Sequence, residues 1–382
     1  MKNKLKYLPT FLFLAFVFVL SALFIVLPKS EYSSSEKRYL EKFPETNFET
    51  IVNGKFESGF ESYLADHFPF RNAWVGINAY YNYSIGNNGN DGVYICKDNY
   101  LINEPVSEDN RIENNAQAIA DFSKNVDVPV TVTIAPSTGY VMDNVLPAVH
   151  DSYNDDKMFE TIMFQLYKEN SGIISFVDLR DAFKKEAKEG TQLYYRTDHH
   201  WTTEGAYTAY KELCNKLNIK ATPKNKFDIE KYKGFYGTTY STSGFWLTPA
   251  DDIQVWNNKN NSEKNITVTI TEGDESKTYH NLYFLNHLKE DDKYPVFLDG
   301  NHAVVNIENK NIKEGKVLIV KDSFCHSLAP FLADNFNTVT MVDMRYYKNS
   351  ISDMVKEGNY DQVLFVYGID NLATDSDLVW IK

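Results

Sequence analysis

The pattern of apolar and polar positions divides the chain into regions of different character. From Leu8 to Leu27 the sequence LPTFLFLAFVFVLSALFIVL runs without a charge, about the thickness of a bilayer core for a helix. The basic flank MKNKLKY precedes it, which places the N-terminus inside by the positive-inside rule. No small-x-small cleavage site follows at Pro28–Tyr32, so an uncleaved signal-anchor is expected, with the rest of the chain extracytoplasmic. Ser30 to about Asn53 is polar and reads as a stalk. The expected organisation is an anchor at 1–29, a stalk at 30–55 and one large domain at 56–382.

Beyond the stalk, Phe56–Ile85 has helical spacing broken at DHFPFR, where Pro69 stops a helix. Residues 92–103 read as a hairpin turning at Lys97-Asp98-Asn99. Strand and helix patterns then alternate. RIENNAQAIADFSKN, DKMFETIMFQLYKEN and RDAFKKEAKEG have helical periodicity, the last ended by Gly190. VPVTVTIAP (128–136) and IISFVDL (173–179) read as buried strands. A helix follows over TEGAYTAYKELCNKLN, capped by Thr202 or Thr203. Residues 222–300 change character, with short alternating runs such as NITVTITE, and read as an inserted antiparallel β region. The alternation returns with KVLIV, SFCHSLAPFLADN, TVTMVDM, ISDMVKEGN and DQVLFVYGI. Repeated strand–helix–strand units predict an α/β fold with a parallel sheet covered by helices on both faces.

Composition narrows the function. Hydrophobic residues make up 43% and charged residues 24% of the 382 positions, which is a globular balance. The 26 Tyr and 25 Phe supply core aromatics first, and sugar-stacking faces second. Net charge is −13 with no basic stripe past the first residues, which argues against a nucleic-acid partner. Cys96, Cys214 and Cys325 are widely spaced and form neither a structural zinc motif nor a disulfide framework. No cofactor is expected.

Two stretches carry chemistry. In YYRTDHHWTTEGAY, Asp198, His199, His200 and Trp201 are consecutive. If the segment is extended, Asp198 and His200 share a side; His199 and Trp201 then face the other way, and Asp198 orients the His200 ring. In VLIVKDSFCHSLAPFL an apolar strand enters Lys321-Asp322-Ser323 just before a helix. Strand C-terminal ends are where parallel sheets bind ligands, and a serine there sits at the positive end of a helix dipole. Ser323 reads equally as a nucleophile or as a helix cap. A nucleophile needs a base and an orienting acid, and His200 with Asp198 supplies both. A metal at Asp198-His199-His200 is the competing reading. It needs ligands from other strands, and His67, His150, His280, His287, His302 and His326 sit in unrelated contexts. No metal site is assigned.

TDHHWTTEGAY, IVKDSF with PFLA, VDMRYY, FLDGNH, SEKRYLEKFP, DHFPFR, TIAPSTGYVMDNVLP and VLFVYG together resemble the DHHW protein family, bacterial relatives of the alginate O-acetyltransferase group with SGNH-hydrolase-like domains. The resemblance implies a flavodoxin-like sheet and a Ser-His-Asp set. In the acetyltransferase relatives this set is written D-x-H-W with a G-D-S-type turn, which falls here on Asp198, His200 and Ser323. Lys321 stands where those relatives have glycine, and His326 where a polar amide is usual. Asn301 in FLDGNH is a candidate oxyanion donor or a turn former. Arg345, Tyr346 and Arg196 are candidate substrate contacts, with an Arg345–Asp343 ion pair as the alternative. The implied activity is O-acetyl transfer to, or acetylester hydrolysis on, a cell-surface glycan, with a multi-pass membrane acyltransferase as partner. A catalytically silent glycan-binding or scaffold protein is the second reading, and a metal-dependent hydrolase the third.

Overall fold

The structure, a computed structural model, describes residues 6–107, 109–168 and 174–381. Most of the basic N-terminal flank, the end of the helix expected to reach residue 170 and the start of the strand expected from Ile173 lie outside these residues. The chain divides into two compact units, one of residues 1–90 with Ser241–Trp246, the other of residues 91–240 and 247–382.

The first unit begins with one helix, Leu8–Val26, whose mean hydropathy of 2.6 over an uncharged stretch makes it long and apolar enough to cross a membrane. The segment expected as a stalk contains a short antiparallel ladder, Tyr32–Ser33 with Arg38–Tyr39, and a one-turn helix, Phe48–Val52. Helices Lys55–Asp66 and Arg71–Ser84 follow. The expected break at Pro69 lies between them, with Phe70 in the left-handed region at φ 63°.

The second unit carries an eight-stranded sheet. Its strands are β1 (Val130–Ala135), β2 (Ile174–Asp178), β3 (Ile266–Glu272), β4 (Glu275–Tyr279), β5 (Val304–Asn309), β6 (Lys316–Lys321), β7 (Thr338–Val342) and β8 (Gln362–Gly368). They are ordered β4-β3-β5-β7-β6-β8-β1-β2. The five strands from β7 to β2 run parallel, and β5, β3 and β4 extend the β7 edge antiparallel. The parallel strands are apolar runs because both faces are covered. In β6, Leu318 and Val320 enter one hydrophobic cluster, while Val317 and Ile319 enter the other.

The first cluster is closed by helices α1 (Arg111–Lys124), α2 (Asp155–Tyr167), α6 (Ile351–Gly358) and α7 (Ile369–Thr374). The second is closed by α3 (Arg180–Lys188), α4 (Thr203–Lys216) and α5 (Cys325–Leu332). The β-rich region at 222–300 is split in two. Phe227–Phe235 and Asp251–Asn258 pair as a separate two-stranded sheet, whereas β3 and β4 join the large one. Thr202 is the residue that caps α4, accepting from the Gly205 amide at 3.2 Å.

Candidate active site

The loop between α3 and α4 closes on itself, so the Asp198–His200 stretch is a turn rather than an extended segment. Tyr194 bridges Trp201, the Tyr195 amide donates to the His200 carbonyl, and the His200 amide donates to Asp198 Oδ1 at 2.9 Å. The loop is held from the side by buried Asp251, which accepts from the Thr197 amide and hydroxyl at 2.8 and 2.7 Å. Asp198 and His200 do meet, with Oδ1 2.5 Å from Nδ1. The expectation that His199 faces away fails because the backbone turns: its ring lies over that of His200 at 3.9 Å, and its Nδ1 is 2.6 Å from Thr238 Oγ1.

Asp198 is closely confined. Its Oδ2 accepts from the Thr238 amide at 2.7 Å and hydroxyl at 3.2 Å. Gly237 passes so close that a Cβ there would sit 2.1 Å from the Asp198 Cβ, so only glycine fits. Burial alone would raise the Asp198 pKa. The neighbouring imidazoles of His200 and His199 and the Thr238 N–H outweigh it and hold the carboxyl well below the usual range. The acid therefore stays ionised, as the orienting partner of an imidazole must. The His199 pKa is also lowered, to about 4, by desolvation first and by His200 second, which leaves that ring neutral.

Ser323 lies at the end of β6, and its Oγ is 2.7 Å from His200 Nε2. Its side chain does not cap α5. Asp322 ties the turn instead: its Oδ1 accepts from the Phe324 amide at 2.9 Å, while Oδ2 accepts from the Gly368 amide and Asn371 Nδ2, both at 2.7 Å. Two contacts fix the histidine loop to the serine turn. Buried Trp201 donates Nε1–H to the Phe324 carbonyl at 3.0 Å and to Ser327 Oγ at 2.9 Å. Tyr294 stacks on His200 at 4.0 Å and 13°, and its hydroxyl donates to the Ser323 carbonyl at 3.1 Å. Tyr294, Thr238 and Gly237 escaped the sequence reading. All three lie in the β-rich region, where nothing local marks a residue that folds back over a site.

A second polar group lies beside the turn. Buried Lys321 donates to Asp343 Oδ2 and to His326 Nε2, both at 2.8 Å. Burial pulls the Lys321 pKa down, with Asp343 opposing, and burial together with Lys321 holds His326 well below the imidazole range. Arg345 forks onto Asp343 at 2.9 and 2.6 Å and donates to Asn301 Oδ1 at 2.9 Å. The ion-pair alternative for Arg345 is thus the observed contact. Tyr346 is exposed, with the Arg345 guanidinium over its ring, and Arg196 lies 3.9 Å from Asp251 and over the Tyr100 ring. Asp198, His199 and His200 present donor atoms within 4.8 Å of one another. A cation there would compete with hydrogen bonds that already engage both His200 ring nitrogens.

A family model described as DHHW protein matches residues 92–342. Among curated relatives, the probable alginate O-acetylase AlgJ of Pseudomonas fluorescens is 24% identical over 184 residues, covering 46% of this chain and 46% of that protein. The AlgJ of Pseudomonas aeruginosa is 25% identical over 175 residues, covering 43% and 42%. The chain thus matches less than half the length of these relatives. Among solved structures, Bacillus cereus PatB1 with a sulfonyl adduct matches with a TM-score of 0.66 at 22% identity, over 78% of this chain and all of that one. A DHHW family protein from Eubacterium siraeum matches at 0.63 and 21%, over 76% and 95%. At these identities the likeness is one of fold.

Proposed function

The chain belongs to the DHHW protein family, and on that premise we propose that it is a serine-dependent O-acetyltransferase or acetylesterase acting on a cell-surface polysaccharide. The observation that carries this reading is the continuous hydrogen-bonded chain from Asp198 Oδ1 through His200 to Ser323 Oγ. The AlgJ relatives, described as probable alginate O-acetylases, support acetyl as the acyl group and a polysaccharide as its acceptor. The sheet is read as SGNH-hydrolase-like, with the serine at a strand end as that fold requires.

Ser323 Oγ attacks the acyl carbonyl and gives its proton to His200 Nε2, while Asp198 receives the Nδ1–H hydrogen bond and stabilises the imidazolium. Collapse of the tetrahedral intermediate expels the donor oxygen, which takes the proton back from His200. A glycan hydroxyl or water then attacks the acyl-enzyme, losing its proton to the same nitrogen, and collapse of this second intermediate breaks the acyl bond to Ser323 Oγ, which recovers the proton from His200. The tetrahedral intermediate calls for hydrogen-bond donors to its developing oxyanion. Arg345 fixes the Asn301 carbonyl, leaving the Asn301 amide as the candidate side-chain donor. Tyr346 and Arg196 are assigned to the glycan. Helix Leu8–Val26 anchors the chain, with the catalytic unit outside the membrane and a multi-pass acyltransferase as source of the acyl group.

The full-length chain, its Ser323→Ala and its His200→Ala variants are compared with p-nitrophenyl acetate, with and without chelator. Loss of turnover in both variants and indifference to chelator support the serine mechanism. Equal rates in all three proteins would sink it in favour of a silent glycan-binding role. Loss with chelator alone would assign the Asp198-His199-His200 donors to a metal.

A further inference from the structure

Helix Arg71–Ser84 has two opposite faces. Gly76 and Ala79 are buried on one, where a Cβ on Gly76 would meet the Trp246 ring at 2.6 Å and Tyr80 packs edge-on against Phe245 at 5.4 Å. On the other face Phe70, Trp74, Ile77, Tyr81 and Ile85 recur at intervals of three and four, and all five are exposed, a single stripe on a helix. From Asn72 to Asn90 the sequence carries no charged residue. The neighbouring cations, Arg38 and Arg71, are paired with Glu36 and Asp66.

This stripe is continuous with the apolar helix Leu8–Val26. The Trp74 ring meets that of Phe16, near the middle of the span, edge-on with centroids 6.4 Å apart, and Tyr63 of the preceding helix meets Phe24 at 6.1 Å. The depth of the apolar helix therefore sets the depth of Trp74. The indole N–H of Trp74 is already satisfied by the Pro69 carbonyl at 3.0 Å, so the ring enters hydrocarbon without stranding a donor. We infer that the Phe70–Ile85 stripe is seated in the outer leaflet of the membrane beside the anchor, its partner being lipid acyl chains. The inference rests on the anchor reading of Leu8–Val26. A second apolar face in the leaflet beside a span would fix the height and rotation of the first unit, which a single flexible tether does not do.

The test uses the full-length chain in phosphatidylcholine–phosphatidylglycerol vesicles, in a Cys96→Ser background because Cys214 and Cys325 are buried. A bimane fluorophore is attached at Ile77→Cys and, as an aqueous control, at Lys188→Cys. Nitroxide-labelled lipid is expected to quench position 77 at least about threefold more than position 188, and iodide to do the reverse. Tyr81→Cys must give the same result, which guards against a misfolded first variant. Equal iodide quenching at 77 and 188 would overturn the inference. So would iodide access at 77 in pure lipid combined with protection in native membranes, which assigns the face to a protein instead. Alkaline carbonate extraction separates the underlying reading: release of the chain rejects the anchor and the seated helix together, while retention with iodide-quenched position 77 rejects the helix alone.

Discussion

Two clusters of ionisable side chains flank the Lys321-Asp322-Ser323 turn, and they differ in where their hydrogen bonds end. On one side Asp198 and His200 form a linear chain that terminates on a hydroxyl, Ser323 Oγ. On the other side Lys321, Asp343, Arg345 and His326 converge on a shared carboxylate or on one another. The first ends on an atom that can lose a proton and form a bond. The second is a compensated set of charges, and its members hold the sheet's edge and the first turn of α5. Residue type alone does not separate the two, since each has an acid and a histidine beside the same turn.

The largest break in this contrast is Ser323→Ala or His200→Ala. Each is expected to lower kcat by about 10³–10⁶-fold, with the double variant little worse than either single one, since the two act as a unit. Steady-state kinetics with a chromogenic acetyl ester reads this, and additive losses would contradict a shared proton path. Asp198→Asn comes next, at about 10³–10⁴-fold in kcat, because the amide holds the imidazole in the wrong tautomer. Its stability follows the sign of the depressed pKa. The wild-type contribution is complete above the unfolded value near ~3.9 and is lost as pH falls through the lower folded value. Thermal unfolding below pH ~4 should therefore separate the two proteins less than unfolding at pH 7 does.

In the second cluster the effects move from rate to stability. Asp343→Asn strands Lys321 and Arg345 together and is expected to cost about 3–5 kcal/mol. Lys321→Met leaves Asp343 its fork from Arg345 and is expected to change stability by no more than about 1–2 kcal/mol, with kcat within about threefold. Denaturant titration and the ester assay check both. A hundredfold loss of kcat in Lys321→Met at unchanged stability would move Lys321 from the compensated cluster into the reacting one.

Much of this was legible in the chain. The apolar runs of β1, β6 and β8 announced strands covered on both faces, and Pro69 marked its helix break. The pairing of Asp198 with His200 was legible too, although the same-face reasoning behind it was not what the backbone does. A turn closed by the His200 amide on Asp198 brings them together and carries His199 along. What stayed hidden depends on contacts distant in sequence. Tyr294 reaches His200 from the β-rich region, and Gly237 matters only because Asp198 passes behind it. The split of that region also had no local signal, since β3 alternates as an isolated hairpin strand would, and pairing with β5 decides that it joins the large sheet.

The smallest effect sharpens the contrast at His199, which sits beside the Asp198–His200–Ser323 hydrogen-bonded chain without being in it. Its pKa is lowered from 6.5 to about 4 by desolvation and by His200. The unfolded state therefore binds more protons between pH 4 and pH 6.5, so this residue makes stability rise with pH across that window and contributes no slope above it. His199→Gln keeps a polar group for the Thr238 hydroxyl and removes the titration. The variant should show a flatter stability–pH curve between about pH 4 and 6.5, read by denaturant midpoints at half-unit steps, with kcat within about tenfold of wild type. If His199→Gln instead abolished turnover while His200→Gln did not, the roles of the two histidines would be exchanged. The hydrogen bond from His200 to Ser323 would then be a structural one.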